Sequence, residues 1–293
     1  MAESGVDNKY FVPAGVAFLV LTVILVTMKT VTGLTIFGLS STIVIAIFAF
    51  WHGTIRYDWK KMLFFSVLIF IVSWTYETVS ILTGFPFGHY NYSTGWSPML
   101  GLVPVMIMPA YFAMGYLSWT IGSILLDKRD SSVGGCGIIL LPVISSFVMV
   151  MWDICMDPIN STIDRLWVWH NGGVYLGVPF VNFLGWFLCV FTFYMIFVCF
   201  LRYSDTEKSP GTSISLKAFW ILPVLLYASR TIEFFGDFAL GSNYEVTAGN
   251  GHVYWTGDIY GTLALMTIFT MIFVAFYAIA RVYLKNNHAS EGD

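Results

Sequence analysis

Charge is what this sequence has least of. Only 11% of its 293 residues are Asp, Glu, Lys or Arg, where a soluble domain carries roughly 25%. Basic stretches are missing as well. The net charge is −3 and no Lys/Arg run occurs, so the chain has no field for nucleic acid and no polybasic patch for a lipid surface. Cysteine is sparse and unpatterned. Cys136, Cys155, Cys189 and Cys199 lie in apolar stretches without a CxxC pair, which reads as small buried hydrophobes and not as a disulfide or metal framework. A P-loop, a dinucleotide fingerprint and a histidine cluster are all absent, so no cofactor and no metal are expected. What remains is apolar: 57% hydrophobic, 18% aromatic, mean hydropathy +0.76. No water-soluble globule of this size could bury so much, so the chain reads as a polytopic membrane protein.

A spanning helix needs about 20 mostly apolar residues. Eight such stretches are legible, at about 11–28, 32–51, 62–82, 99–126, 138–156, 176–201, 218–238 and 259–284. The N-terminal segment sets Glu3 and Asp7 against Lys9 and lacks a basic leader region, so the first stretch is expected to be a mature span. With short linkers and no low-complexity tract, one all-α helical-bundle domain over 1–293 is expected. Placing the N-terminus inside puts eleven of the 14 cations on inner segments: Lys9, Arg56, Lys60, Lys61, Lys128, Arg129, Arg202, Lys208, Lys217, Arg281 and Lys285. Lys29 and Arg165 fall outside and Arg230 lies within a span. That asymmetry predicts both termini on the cytoplasmic side of the cell membrane.

The acids distribute oppositely. Glu77, Asp153, Asp157, Asp164, Glu233, Asp237, Glu245 and Asp258 belong to the outer halves of spans or to outer loops. An ionisable group at membrane depth is expensive and is a functional candidate by default. Spans three, five and seven deliver their acids to the same end of the bundle. Three blocks (about 74–109, 150–187 and 227–261) share one plan: an acid near a helix end, an aromatic and glycine-rich loop, then a new helix. Glu77 and Pro104 are 27 residues apart, Asp153 and Pro179 26. This layout suggests duplicated helical pairs around one cavity.

The blocks contain GFPFGHYNY (84–92), WDICMDP (152–158), WVWHNGGVYLGVP (167–179) and NFLGW (182–186). In combination these resemble the integral-membrane carotenoid biosynthesis family, over about residues 70–190. Its characterised members are carotenoid 1,2-hydratases, of the bisanhydrobacterioruberin hydratase and gamma-carotene 1'-hydroxylase kinds. The resemblance implies an enzyme that hydrates the terminal C1–C2 double bond of a linear carotenoid within the lipid bilayer. It leaves open which carotenoid, whether one or both ends react, and the oligomeric state.

Water addition to an isolated trisubstituted double bond needs a strong proton donor, a sheltered tertiary cation and a positioned water. Glu77, the one charge in the third span, is the first candidate for donor; the alternative is a carboxylate paired with Arg230 or capped by the loop. Asp153 and Asp157, at i and i+4, share a helix face if the helix persists to Pro158, and one can hold the proton while the other serves as base. The alternative for Asp157 is a cap on the exit turn. Glu233 and Asp237 repeat the spacing, but with Arg230 three residues before Glu233 they read as more structural than chemical. Trp74, Tyr76, Phe85, Phe87, Tyr90, Tyr92, Trp152, Trp167, Trp169, Tyr175 and Trp186 suit a cavity that shelters a cation, or an interfacial aromatic belt. His89 reads as a proton shuttle or a loop hydrogen-bonder, and Asn182 as a water-orienting amide or a helix contact. Two rival classes stand beside the hydratase. The acidic pairs also fit a Mg²⁺-dependent membrane prenyltransferase or terpene cyclase, though diphosphate binding wants more Lys and Arg than Arg165 and Arg230. A non-catalytic carotenoid carrier would show the same aromatics.

Overall fold

Lipid cannot hydrogen-bond a backbone, so a chain of this composition must satisfy its peptide groups internally, and helices do so. The computed structural model describes residues 8–128, 134–204 and 217–288 and contains ten helices and six short strands among them. They are α1 (Asn8–Thr32), α2 (Thr35–Tyr57), α3 (Trp59–Thr83), β1 (Tyr90–Tyr92), β2 (Met99–Leu100), β3 (Val103–Pro104), α4 (Ile107–Leu125) and α5 (Gly137–Asp157). After them come β4 (Trp167–Trp169), α6 (Phe180–Ser204), α7 (Lys217–Ser229), α8 (Thr231–Leu240), β5 (Glu245–Thr247), β6 (Val253–Trp255), α9 (Thr256–Thr267) and α10 (Phe273–His288). The pairs α7/α8 and α9/α10 each make one pass, giving the eight passes expected. Glu3, Asp7, Arg129 and Lys208, on which the charge reading also drew, lie outside the described residues.

Seven passes are long and apolar enough to cross a membrane. The eighth, α4, falls short in apolar content for a physical reason: it is the central helix. Nearly every residue from Met108 to Ile124 is buried, and α4 touches α2, α3, α5, α7 and α10. With almost no surface for lipid it can carry small and polar residues. Thr120 and Ser123 return their hydroxyls to the carbonyls one turn back (3.0 and 2.8 Å). A Cβ on Gly122 would lie 2.2 Å from Ser145 Oγ, so glycine there sets the close approach of α4 to α5.

Several boundaries move from the expected ones. Helix α1 runs past 28 to Thr32, which brings Lys29 inside the bundle. The fourth span starts at Ile107 instead of 99, because 99–104 forms the β2–β3 hairpin around Gly101 at φ +62°. The sixth starts at Phe180, behind Pro179. Helix α5 does not stop at Pro158 but continues as a π-helical turn, Pro158–Ile163, so Asp157 is mid-helix and not a cap. The seventh pass breaks at Arg230, between α7 and α8.

The strands cap one end. β1 pairs antiparallel with β4, in the register Tyr90↔Trp169, Asn91↔Val168 and Tyr92↔Trp167, and β5 pairs with β6. At the opposite end Phe11, Trp51, His52 and Phe219 pack together, and Lys217 lies over the Tyr283 ring.

Candidate functional site

Side chains two apart on a strand point the same way. In β1 this sets Tyr90 and Tyr92 on one face; in β4 it sets Trp167 and Trp169 on one face. Because the strands pair in register, all four rings hang from one small ladder toward the helix ends below. The tyrosines reach Glu77 on α3: Tyr92 donates to Oε2 (2.9 Å), and Tyr90 donates to the same oxygen. Tyr111, from the second turn of α4, donates to Oε1 (2.8 Å). The tryptophans reach Asp157 on α5, with Nε1 of Trp167 at 2.8 Å and Nε1 of Trp169 at 3.4 Å from Oδ1. Asn182, in the first turn of α6, donates to Asp157 Oδ2 (2.7 Å) and, at 3.3 Å, to Asp153 Oδ2. Glu77, Asp153 and Asp157 are all buried.

The two carboxyl groups are held by different chemistry. Indole N–H and amide N–H only donate, so the three partners of Asp157 suit a carboxylate. Phenol hydroxyls donate and accept, so the three partners of Glu77 serve it with or without its proton. Burial, then the neighbouring Glu77, pushes the phenols of Tyr90 and Tyr92 well above their ordinary 10.0. Both hydroxyls therefore stay protonated at any physiological pH.

Glu77, Phe87, Tyr90, Tyr92, Tyr111, Trp152, Asp157, Trp169, Asn182 and Trp186 line one open-mouthed cavity, whose empty space, open solvent included, is about 950 Å³. Trp186 stacks on Tyr111 with ring centroids 4.4 Å apart and planes within 3°, and Trp152 meets it edge-on. The indole N–H of Trp152, Asn182 Oδ1 and Asp153 Oδ1 are buried and have no protein partner. A Cβ on Gly185 would sit 2.7 Å from Pro86 O, so the NFLGW turn can lie against the FPF loop only as glycine.

The far wall is ionic. Lys29 Nζ is 2.7 Å from Glu233 Oε1, 3.9 Å from Asp164 and 4.0 Å from Asp237. Arg230 holds Glu233 Oε2 (2.6 Å) and donates to Ser41 Oγ (2.8 Å). Arg230 thus pairs with Glu233, not with Glu77. Lys29, Asp164, Arg230 and Glu233 also line the cavity.

Of the residues picked from sequence, the structure gathers Glu77, Asp157, Phe87, Tyr90, Tyr92, Trp152, Trp169, Asn182, Trp186, Arg230 and Glu233 at the cavity. Asp153 sits behind Asn182 and Asp237 behind Lys29, neither in the lining. Trp74 and His89 lie elsewhere. Trp74 Nε1 donates to Leu100 O (3.1 Å), bracing the β2–β3 hairpin. His89 is exposed and packs over Gly84 at the end of α3. Trp167, weighed among the aromatics, also lines the cavity. Lys29 and Tyr111 were missed as site residues; Lys29 sat just beyond an assumed span end.

The fold and site together define a class: a polytopic membrane bundle with an acid-bearing aromatic cavity at one end. The comparisons name the family. The family model described as "Carotenoid biosynthesis protein" matches residues 33–242, well over half the chain, and the chain belongs to that family. Bisanhydrobacterioruberin hydratase of Haloarcula japonica is 28% identical over 123 residues, 42% of this chain and 40% of that protein. The match thus spans well under half the length of that curated relative. No solved structure matches the chain. Among the described residues no three His, Cys, Asp or Glu come together in a way that could hold a metal ion.

Proposed function

We propose that the protein hydrates the terminal double bond of a linear carotenoid. The observation that carries this reading is the facing pair of Glu77, held by three tyrosines, and Asp157, held by two indoles and an amide, across an aromatic cavity.

In this scheme Glu77 gives its proton to C2 of the terminal C1=C2 bond. The π electrons form the C2–H bond and leave a tertiary cation at C1. The faces of Trp186, Tyr111 and Trp152 and the Asp157 carboxylate shelter that cation, in a site where charge interactions are stronger than in water. A water held at Asn182 Oδ1 and Trp152 Nε1 adds its oxygen to C1, and Asp157 takes the proton released. The proton left on Asp157 then passes back to Glu77 through the tyrosine hydroxyls, which both donate and accept. The sum is one water added and no change of overall oxidation state.

The rival diphosphate chemistry finds weaker support. Lys29 joins Arg230 on the cavity wall, but carboxylates already engage both. The relative's printed activity points the same way as the geometry.

The test is expression in a bacterium that makes lycopene, followed by mass spectrometry of extracted pigment. A product heavier by one water, its oxygen drawn from heavy-oxygen water, is the expected result. Label drawn from oxygen gas, or no new pigment, would overturn the proposal.

A further inference from the structure

We infer that an apolar groove between α2, α3 and α4 seats the polyene of the substrate while its end group occupies the acid cavity. This rests on the carotenoid reading above. A cavity at one end of the bundle has room for an end group, so the rest of a long rigid chain must lie along the protein. Ile43, Ala46, Ile47 and Phe50 of α2, Phe70 of α3 and Phe112 of α4 line the groove. It follows α2 from Ile43 to Thr54, roughly 16 Å at 1.5 Å per residue. Ile43, Ile47 and Phe70 are partly exposed on its open side.

Two features fit a hydrocarbon without polar groups. The groove's hydroxyls are spent on the backbone, Ser66 on Met62 O (2.8 Å) and Thr54 on Trp51 O (2.7 Å). The groove also adjoins the cavity on two helices. On α2, Leu39 and Thr42 line the cavity and Ile43 and Ala46 the groove. On α4, Ala110 lines the cavity and its neighbour Pro109 the groove. Along α3, Phe70, Ser73 and Glu77 follow at i, i+3 and i+7, so the groove runs toward the acid. Between them Ser73 donates to Met108 Sδ (3.2 Å). Met108 lines the groove one turn before Tyr111, and its unbranched side chain is a partition that can yield.

The experiment fills the groove. Ala46→Trp and, separately, Ile43→Trp are expressed in the lycopene-producing host, with Ile36→Trp, on the same helix outside the groove, as control. Pigment retained on the purified protein and pigment converted are read separately. The expected result is at least a tenfold loss of retained lycopene in both groove variants, with the control unchanged. Wild-type retention by both variants overturns the groove, as does a wild-type protein that retains no lycopene. A phospholipid displaced by the tryptophans in place of pigment overturns it in favour of a lipid chain. Retained but unconverted lycopene on the wild type, lost in the variants, upholds the groove and sinks the hydration reading. Ile43 is partly exposed to lipid, so its variant keeps the test sound if Ala46→Trp does not fold.

Discussion

Two groups of acids meet around the same cavity and are treated in opposite ways. Glu233 lies between Lys29 and Arg230, with Asp237 and Asp164 around the same lysine. Glu77 and Asp157 have no ion-pair partner among the described residues and are held only by neutral donors. A carboxylate already neutralised by cations has little left to offer a reacting centre, and removing one partner of such a buried pair is costly. Carboxyl groups fixed by phenols, indoles and an amide keep their charge or proton uncommitted, and that charge is available to a cation that exists only during the reaction. Ion pairs build the wall; neutral hydrogen bonds build the site.

That contrast is sharpest at Glu77. Glu77→Gln keeps the size and the hydrogen-bonding capacity toward the tyrosines but cannot donate a proton. Hydration is expected to fall about 10²–10⁴-fold, the usual worth of a general acid, with lycopene retained. Pigment analysis normalised to purified protein checks this. Asp157→Asn comes next, with a loss of about a hundredfold. Its new amide would point a donor at one of three existing donors, so a lower melting temperature should accompany the loss. Tyr111→Phe removes one of three bonds to Glu77 and leaves the stack on Trp186. A hydrogen bond to a charged group is worth at least about 1.5 kcal/mol, which sets the expected loss at about tenfold or more, in turnover more than in pigment retention.

The other half of the comparison should respond in stability. Lys29→Met leaves Glu233 with Arg230 alone and strips Asp237 and Asp164 of their cation. A loss of about 3 kcal/mol is expected, read as thermal unfolding in detergent, with turnover per folded molecule changed only a few-fold. The smallest effect concerns pH. Burial raises the Tyr90 and Tyr92 phenols above 10.0, so below that value they are protonated folded and unfolded alike and contribute no pH dependence. Above it the unfolded chain releases these protons first, and stability falls as pH rises. An activity limb near pH 8 that vanished in Tyr92→Phe would break this assignment.

Much of the architecture was legible because membrane physics leaves few choices. Apolar length gave eight passes, and the cation asymmetry matched an arrangement in which the buried acids gather at one end. Segment ends were harder. Lys29 could follow α1 inward because three acids from other segments wait for it, and nothing local to Lys29 announces them. The acids themselves stood out as lone charges in apolar helices, and Glu77 and Asp157 did so before any geometry was known. Their partners stood out less. Three-residue strands are too short for a hydrophobic period to declare itself, and β1 finds β4 across 77 positions of sequence. The pairing that turns Tyr90, Tyr92, Trp167 and Trp169 toward two acids is therefore a tertiary fact. Trp74 and His89 show the converse: right residue types in the right blocks, placed outward by the hairpin and by the end of α3.

The most direct test sets one acid of each kind side by side. Glu77→Gln and Asp237→Asn would be expressed in the lycopene-producing host and compared for hydrated product per mole of retained pigment. The account predicts under a hundredth of wild-type conversion for Glu77→Gln and at least a third for Asp237→Asn. Equal losses in the two variants, or wild-type conversion by Glu77→Gln, would contradict it.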